Sequence, residues 1–399
     1  MLNKPVYMDN QATTRVDSRV LDAMLPFFTE TYGNAGSSSH SFGWDAKEAV
    51  DAARQSIADS LGTSPREIVF TSGATESNNL AIRGVCERTR RRGNHIVSVV
   101  TEHSSVLQPL AKLGKRGFEI TLLSVASNDR RNAGVVDLGQ LEDALRDDTL
   151  LVSVMLASNE TGVLQPLAEI GRICRSHGTL LHTDATQAVG KLPLDFQQLN
   201  VDLLSFSAHK MYGPKGVGAL VVRRGSPQVR LESQIDGGRQ ESGRRSGTAN
   251  VPGSVGLAEA LRISLDEMET EAPRVQRLRD RLFDGLRSRI DCVELNGPSL
   301  DDPRLRLGGN LNCSFGDVDG EALMMSMRDL AVSSGSACTS ADPEPSHVLR
   351  ALGLDDDSAR ASLRFSLGRF NTQEEVDFAI ETVATSVERL RSLRSGVHL

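Results

Sequence analysis

One cysteine of this sequence has neighbours that favour reactivity over packing. Cys338 lies in the stretch SSGSACTS at positions 333–340, among hydroxyl side chains, a glycine and an alanine. A cysteine kept for packing normally lies in an apolar run, where it behaves as a small hydrophobe. As a thiolate, Cys338 could serve as a nucleophile; the alternative is a loop residue without a chemical role. Pro343 and Pro345 follow it and predict an ordered, non-helical loop that leads into a short helix.

A second group of polar residues follows predicted strands. Open α/β sheets bind their ligands outside the carboxyl ends of their strands. The segments HIVSVVTEH, LVSVMLASNE, LLHTDATQ and LLSFSAHK end in side chains that can bind or catalyse: His103, Asn159, Asp184, Gln187, Ser207, His209 and Lys210. Each of these residues alone could be a helix cap or a solvated side chain. Because four successive strands bring such residues to one edge, the sequence predicts a binding site there.

An aspartate and a lysine at neighbouring strand ends suggest a particular cofactor. Pyridoxal phosphate requires a lysine amine that holds its aldehyde as a Schiff base. It also requires a carboxylate that keeps its pyridine nitrogen protonated, so that the ring draws electrons from the substrate. Lys210 and Asp184 match these two requirements.

The phosphate of such a cofactor needs backbone N–H donors at a helix start. The segment FTSGATESNNLAI provides a strand, a glycine turn and a helix that opens at Ala74 and Thr75. Ser207, His209 and Thr248 could add side-chain donors. A nucleotide P-loop is excluded, because neither TSGATES nor GPKGVG matches its glycine and lysine spacing.

Alternating strands and helices must position these residues. The strand-like segments REIVF, HIVSVV, LLVSVML, TLLHTDA, DLLSFS and GALVVRR mostly alternate with helical patterns, which predicts a largely parallel sheet with helices on both faces. The last two strands should instead pair like a hairpin, because AHKMYGPKGVG is too short for a helical crossover. One helix should run from Trp44 to Leu61 and end at Gly62. Near the carboxyl terminus, Thr372 and Glu375 predict a capping box at the start of another.

The length of 399 residues exceeds the size at which single hydrophobic cores stop growing, so two domains are expected. A strongly charged helical pattern after Ala260 marks the passage between them. We predict a large domain of residues 15–260 and a small domain formed by residues 1–14 and 261–399. The small domain carries the cysteine loop at about 333–345.

The composition excludes several classes of protein. Hydrophobic residues make up 39% and charged residues 24%, as in ordinary globular proteins. A net charge of −7 argues against nucleic acid or an anionic membrane as the main partner. The sequence has no apolar stretch of membrane-spanning length and no apolar signal core in MLNKPVYMDNQ, so the cytoplasm is expected. Five cysteines, an odd number without paired metal spacing, predict neither a disulfide framework nor a metal site.

Ten segments spread over the chain resemble the cysteine desulfurases of the iron–sulfur-cluster and nitrogen-fixation type. They include YMDNQATT, REIVFTSGATESNNLAI, HTDATQAVGKLPLD, LLSFSAHKMYGPKGVGAL, AVSSGSACTS and LRFSLGRF, and the resemblance runs from Tyr7 to about Arg394. The lysine segment and the cysteine loop together are its most specific part, since the lysine segment alone would admit other members of the aminotransferase class V fold. The resemblance implies the type I fold of pyridoxal-phosphate-dependent transferases. This is an α/β fold whose large domain has a mainly parallel sheet with helices on both faces, joined to a smaller α+β carboxyl-terminal domain.

The resemblance also implies roles around the cofactor ring. Lys210 would be the Schiff-base lysine, Asp184 the partner of the pyridine nitrogen and Gln187 a ligand of the phenolic oxygen. His103 would stack on the ring and take part in catalysis, and Asn159 would contact cofactor and substrate.

Further roles concern the phosphate, the substrate and the sulfur. The phosphate cup would consist of Ala74, Thr75, Ser207, Ala208 and His209, with Thr248 entering from the second subunit of a homodimer. Ala208 stands where the family usually has glycine. Arg364 would bind the substrate carboxylate, and Cys338 would accept the sulfur.

The implied reaction removes sulfur from L-cysteine, with L-alanine and a persulfide on Cys338 as products. Acceptor proteins such as a scaffold for iron–sulfur cluster assembly would then receive the sulfur. Which acceptor is used stays open, because SLRSGVHL ends without the longer tail by which housekeeping members engage a scaffold. Two alternatives on the same fold are a selenocysteine lyase and a cysteine-sulfinate desulfinase. A non-catalytic sulfur-relay subunit is a third, which the pairing of Lys210 with Asp184 disfavours.

Overall fold

The computed structural model describes residues 2, 4–225, 228–334 and 344–395. Over these residues the strands are β1 (Val6–Tyr7), β2 (Ile68–Thr71), β3 (His95–Val99), β4 (Glu119–Leu123), β5 (Thr149–Ser153), β6 (Leu180–Asp184), β7 (Leu203–Ser207), β8 (Gly218–Val222), β9 (Val293–Leu295), β10 (Asn310–Phe315), β11 (Leu330–Ala331), β12 (Ser333–Ser334) and β13 (Ser362–Ser366). The helices are α1 (Ser18–Met24), α2 (Pro26–Thr29), α3 (Ser41–Leu61), α4 (Ala74–Thr89), α5 (Ser104–Gly114), α6 (Leu138–Ala144), α7 (Leu167–His177), α8 (Val251–Arg289), α9 (Gly320–Ser326), α10 (His347–Ala351), α11 (Asp356–Arg360) and α12 (Gln373–Ser395).

The larger sheet has seven strands in the order β2-β8-β7-β6-β5-β3-β4. The five strands from β7 to β4 run parallel to one another. β8 is antiparallel to both of its neighbours, β7 and β2. The predicted largely parallel sheet and the hairpin-like pairing of its last two strands are therefore confirmed.

Apart from the partly exposed edge strand β4, the strands of this sheet are buried on both faces, which explains their continuous apolar runs. Neighbouring residues of one strand point to opposite faces. Val97 and Leu204 belong to a core that includes residues of α3, α7 and α8. Ile96 and Leu203, one position earlier in the same strands, pack with α4 and α5 instead. The sheet thus lies between two helical layers, as the sequence predicts.

A second sheet is antiparallel, in the order β12-β13-β10-β9, and packs its apolar face on α8 and α12. Helix α8 contributes to both cores, since Leu257 belongs to the first and Leu282 to the second. The charged pattern after Ala260 is therefore the continuation of one helix of 39 residues. We retain the division into residues 15–260, with 1–14 and 261–399 as the small domain, as a proposal.

The first predicted helix is longer than its apolar pattern suggests. It begins at Ser41 and not at Trp44, because the Nδ1 atom of His40 accepts a hydrogen bond from the Gly43 N–H at 3.2 Å and caps the added turn. The predicted end is confirmed, with Gly62 in the left-handed conformation at φ 66°.

The predicted capping box before α12 is also confirmed. The Thr372 N–H donates to Oε2 of Glu375 at 3.2 Å, and the Glu375 N–H donates to Oγ1 of Thr372 at 3.3 Å. The short helix expected after the cysteine loop is α10. Among the helices of the described residues, none combines the length and the apolar character needed to cross a membrane.

Candidate active site

A cavity opens at the carboxyl ends of the parallel strands. Its volume of about 540 Å³ lies within the range of small-molecule sites, roughly 300–1,000 Å³. Ten of the predicted site residues line it: Ala74, Thr75, His103, Asn159, Asp184, Gln187, Ser207, His209, Lys210 and Arg364. Residues from distant parts of the sequence therefore meet where the strand ends predict a ligand site.

One end of the cavity is the amino terminus of α4. Gly73 caps this helix with φ 149°, a backbone conformation that side chains oppose. Gly218 at the start of β8 lies against it, since a Cβ atom there would come within 2.8 Å of the Gly73 Cα. The first N–H groups of the helix, at Ala74 and Thr75, have no acceptor within the helix itself. This end of the cavity is suited to an anionic group such as a phosphate.

Lys210 follows β7 on a single 3-10 turn. Its Nζ atom donates to the carbonyl oxygen of Gln11 at 2.5 Å and to that of Ala12 at 2.6 Å. The amino-terminal segment thus lies against the lysine amine and orients it. Two backbone carbonyls supply the acceptors, so the contact depends on the path of the chain and not on the side chains of these two residues.

His209, beside the lysine, is kept neutral by its surroundings. Burial lowers its pKa to about 4, and the positive charges of Lys210, Lys215 and Lys191 act in the same direction. Its Nδ1 atom lies 3.2 Å from Oγ1 of Thr13. A neutral imidazole at this position can exchange hydrogen bonds with a ligand without adding a further charge.

Asp184, at the end of β6, is fixed by two donors. Nδ2 of Asn78 donates to its Oδ2 at 2.7 Å, and the Thr186 N–H donates to its Oδ1 at 3.0 Å. Glu102 is completely buried nearby, where burial and the negative charge of Asp184 raise its pKa well above the ordinary value. Both effects favour the protonated, neutral form of Glu102.

Two further side chains of the cavity are held by neighbours. Nε2 of Gln187 donates to the Gln11 carbonyl at 2.9 Å, and its Oε1 accepts from Nζ of Lys191 at 2.9 Å. Nδ1 of His103 accepts from the Ser105 N–H at 3.0 Å and lies 2.8 Å from the Ser105 hydroxyl. Both side chains are thus fixed in orientation before any ligand binds.

Arg364 reaches the cavity from β13 of the small sheet. Its side chain is only 1% exposed. One terminal nitrogen donates to the Asn159 carbonyl at 2.9 Å and the other to Oδ1 of Asp9 at 2.7 Å. Its Nε atom is buried without a hydrogen-bond partner. A buried guanidinium with an unsatisfied donor at a cavity wall suits an anionic ligand such as a carboxylate.

Helix α10 docks on the two loops that carry His103 and Asn159. The Ser346 hydroxyl, at its amino-terminal cap, hydrogen-bonds a carboxylate oxygen of Glu160. Nε2 of His347 lies 3.0 Å from the carbonyl oxygen of Glu102. The segment that follows the cysteine loop is therefore fastened to residues adjacent to the cavity wall.

Three predicted site residues are not among those that line the cavity. Ala208 is completely buried between two residues that do line it. Thr248 is exposed, and the cavity of the same chain does not include it. Cys338 lies outside the described residues.

The four other cysteines lie within the described residues, and three of them are buried. Burial raises the pKa of Cys86, Cys174 and Cys313 to about 12 each, so their thiols stay protonated at neutral pH. Cys292 is exposed. Within the described ranges, no group of three or more His, Cys, Asp or Glu side chains is arranged to hold a metal ion.

Several functional contacts were missed at the level of sequence. Asn78 lies four positions after Ala74, on the same helix face, and this spacing could have identified it. The carbonyls of Gln11 and Ala12 carried no signal, because every residue has one. The hydrogen bond from Lys191 to Gln187 could not be predicted either, because neither residue type by itself indicates such a contact.

Comparisons with known proteins agree with one another. The family model of the class-V aminotransferases matches residues 6–378. Cysteine desulfurase IscS of Anaeromyxobacter dehalogenans (strain 2CP-C) is 54% identical over 389 residues, which cover 98% of this chain and 94% of that protein. The solved structure of a NifS-like protein matches with a TM-score of 0.87 and 39% identity, over 96% of this chain and 100% of that one. The structure of SspA in complex with cysteine matches with a TM-score of 0.80 and 35% identity, over 93% and 100%.

Proposed function

The chain belongs to the class-V aminotransferase family and is a cysteine desulfurase, and from this premise we propose that it converts L-cysteine to L-alanine with capture of the sulfur on Cys338. The observation that carries the proposal is the position of Lys210 and Asp184. They follow the neighbouring parallel strands β7 and β6 and line one cavity with the buried Arg364. An amine, a carboxylate and a carboxylate-binding arginine are the groups that an enzyme of amino acids with pyridoxal phosphate requires.

The residues of the cavity fit that cofactor. Lys210 would hold its aldehyde, Asp184 would face its pyridine nitrogen, and the amino terminus of α4 would receive its phosphate. Ser207, whose hydroxyl lies beside Gly73, and the neutral His209 also line the cavity and would add donors. When bound, pyridoxal phosphate supplies an electron sink that makes the substrate's α-proton acidic and its C–S bond cleavable.

Residues of the chain would then bind the substrate and transfer its protons. The guanidinium of Arg364, which lines the cavity, would bind the substrate carboxylate and so fix the amino acid there. Lys210, displaced by the substrate amine, would take up the α-proton and later return a proton to carbon. Without a ligand, its amine donates to the carbonyls of Gln11 and Ala12, which lie at the same cavity and would orient it. His103, fixed by Ser105, would pack on the ring.

Sulfur transfer needs a thiolate, and the proposal assigns it to Cys338. The thiolate attacks the substrate sulfur, a new S–S bond forms and the C–S bond breaks, while the electron pair of that bond stays on carbon and is protonated. One L-cysteine and one enzyme thiol thus give one L-alanine and one enzyme persulfide. The high pKa values of Cys86, Cys174 and Cys313 support this assignment, because their thiols cannot ionise at neutral pH.

A homodimer would complete the phosphate end. Thr248 is exposed and does not reach the cavity of its own chain, as expected if it serves the cavity of a second subunit. Six large apolar side chains between positions 21 and 44 are also exposed, and such surfaces are typical of interfaces: Leu21, Leu25, Phe28, Tyr32, Phe42 and Trp44. Sedimentation of the purified protein tests this, and a monomer at micromolar concentration would contradict it.

The persulfide would pass to an acceptor protein, and we place the enzyme in the cytoplasm together with the acceptors that assemble iron–sulfur clusters. The central experiment concerns Cys338→Ser. Each single cysteine variant is incubated with L-cysteine labelled with heavy sulfur, persulfides are trapped by alkylation, and the label is located by mass spectrometry. We expect Cys338→Ser to bind pyridoxal phosphate and L-cysteine but to release almost no alanine, while Cys292→Ser stays active. Label on another cysteine, or normal alanine release by Cys338→Ser, would refute the assignment.

A further inference from the structure

Lys191 lies beside the cofactor site but does not line it. It belongs to a second cavity between the two sheets, which shares Gln11 with the first and includes Tyr212 and Glu271. Burial of its amine is the main cause that lowers the pKa of Lys191 to about 7; the positive charges of Lys210 and Arg364 contribute to this decrease, and Glu271 opposes it. A buried lysine amine destabilises the folded protein unless it is paired or hydrogen-bonded.

The hydrogen bond of Lys191 determines how Gln187 is oriented. A lysine amine donates to Oε1 of Gln187 at 2.9 Å, and an ammonium group can only donate. The amide oxygen must therefore face Lys191, which turns the amide nitrogen toward the Gln11 carbonyl, 2.9 Å away. Without this donor, the two ends of a glutamine amide are nearly equivalent in shape, and the side chain can turn over.

The same hydrogen bonds connect Lys191 to the reactive lysine. The Gln11 carbonyl that accepts from Gln187 also accepts from Nζ of Lys210 at 2.5 Å. Three hydrogen bonds thus lead from one amine to the other through Gln187 and a single carbonyl group. When both amines are protonated their charges repel, so protonation of one lowers the proton affinity of the other.

We propose that Lys191 is a positioning residue of the desulfurase reaction. It fixes the Gln187 amide so that one N–H donates to the Gln11 carbonyl and the other is directed to the cofactor's phenolic oxygen, and in its protonated form it places a positive charge behind Lys210. The inference rests on the proposed function, in which Gln187 meets that oxygen. A fixed donor stabilises the ionised phenolic oxygen, and the nearby charge disfavours a second positive charge on the nitrogen of Lys210. Both effects keep the proton affinity of the lysine–cofactor linkage low.

The test uses the absorption spectrum of the loaded protein and not its turnover. Lys191→Met keeps the length of the side chain but removes the donor and the charge. We expect the pH midpoint of the visible band of lysine-bound pyridoxal phosphate to rise by about half a unit or more, a roughly threefold increase in proton affinity. The dissociation constant of pyridoxal phosphate, measured by equilibrium dialysis, should also rise. Lys112→Met, at an exposed position of α5, is the matched control and should change neither value.

A double-mutant cycle separates positioning from a general effect of charge. Gln187→Met alone should raise the midpoint, and adding Lys191→Met should then raise it by much less than in the wild-type background. An equal effect of Lys191→Met in both backgrounds, or no shift at all, would overturn the proposal. Lys191→Arg retains a donor and should keep a midpoint near that of the wild type, and it also serves as the test if the methionine variant does not fold. If wild-type protein shows no lysine-bound cofactor band, the proposed function itself fails, which is a different outcome.

Discussion

Asp184 and Arg364 face the same cavity but are held by different kinds of contact. The partners of Asp184 are Asn78 and the Thr186 N–H, both within the larger domain that the sequence predicts. The partners of Arg364 are Asp9, 355 positions away, and the Asn159 carbonyl, 205 positions away. The first group of contacts would survive any movement between the sheets, whereas the second depends on how the two sheets are packed together.

This difference separates the residues expected to act in the chemical step from the arginine expected to bind the substrate. Asp184 is held by contacts within the large domain alone, whereas Lys210 also contacts the amino-terminal segment. The arginine that would bind the substrate is positioned only when the amino-terminal segment, β13 and the loop at Asn159 are in contact. Substitutions on the Asp184 side should therefore reduce the rate of the chemical step, and those on the Arg364 side should weaken substrate binding or alter its dependence on pH.

The largest effect is expected from Lys210→Ala. Turnover should fall by at least about a thousandfold, since proton transfer by a positioned group alone contributes roughly 10²–10⁴-fold. Alanine and sulfide released from L-cysteine measure the loss, and the absorption band of lysine-bound cofactor should disappear with it. Lys112→Ala, on the exposed side of α5, should behave like the wild type. Activity that survives Lys210→Ala would remove the basis for assigning the cofactor.

Asp184→Asn should have the next largest effect. The amide retains the shape of the carboxylate but lacks the charge that would keep the ring nitrogen protonated, so kcat should fall about a hundredfold, or about 2.7 kcal/mol on the barrier. Circular dichroism and bound pyridoxal phosphate should stay near the wild-type values. A decrease of less than about twofold, roughly 0.4 kcal/mol, would show that the aspartate does not have this role.

Arg364→Lys tests the other side of the cavity. A lysine cannot form the two parallel hydrogen bonds of a guanidinium to a carboxylate, so KM for L-cysteine should rise about tenfold, or about 1.4 kcal/mol, with a smaller change in kcat. Arg369→Lys is the matched control. Arg369 bonds Asp17 across the two domains at 2.8 Å without lining the cavity, and KM should not change. Equal increases in both variants would mean that domain contact, and not carboxylate binding, accounts for the effect.

The smallest effect concerns Glu160, which fastens α10 through Ser346. Burial raises the pKa of Glu160 from 4.5 to about 7, although Ser346, Arg364 and His103 oppose the change. Because the folded protein favours the protonated acid, its contribution to stability is complete below about pH 4.5 and is lost as the pH rises through about 7.

Glu160→Gln should abolish that dependence. Relative to the wild type, the apparent Tm of the variant should therefore increase between pH 5 and pH 8, by an amount equivalent to at most about 3 kcal/mol. Scanning calorimetry at several pH values measures it, with the exposed Glu388→Gln as control. A constant difference in Tm over this range would contradict the assigned pKa.

The sequence alone determined six of the seven strands of the large sheet, without the edge strand β4, and the edge at which the site lies. Alternating apolar strands and helices fix a parallel sheet, and parallel strands necessarily bring their carboxyl ends to one edge. His103, Asn159, Asp184 and Lys210 could therefore be predicted as neighbours without knowledge of the tertiary structure. The caps at Gly62 and Thr372 were equally local, because a turn or a capping box depends on residues a few positions apart.

Only the tertiary structure decided what holds these residues. The carbonyl of Gln11 serves both Lys210 and Gln187, the amine of Lys191 orients Gln187, and Arg364 joins two distant segments. No periodicity encodes such contacts, because they join residues far apart in the chain and often use backbone atoms that every residue possesses. The sequence also did not show where α8 leaves one core and enters the other. A helical pattern does not reveal which sheet each turn of the helix will cover.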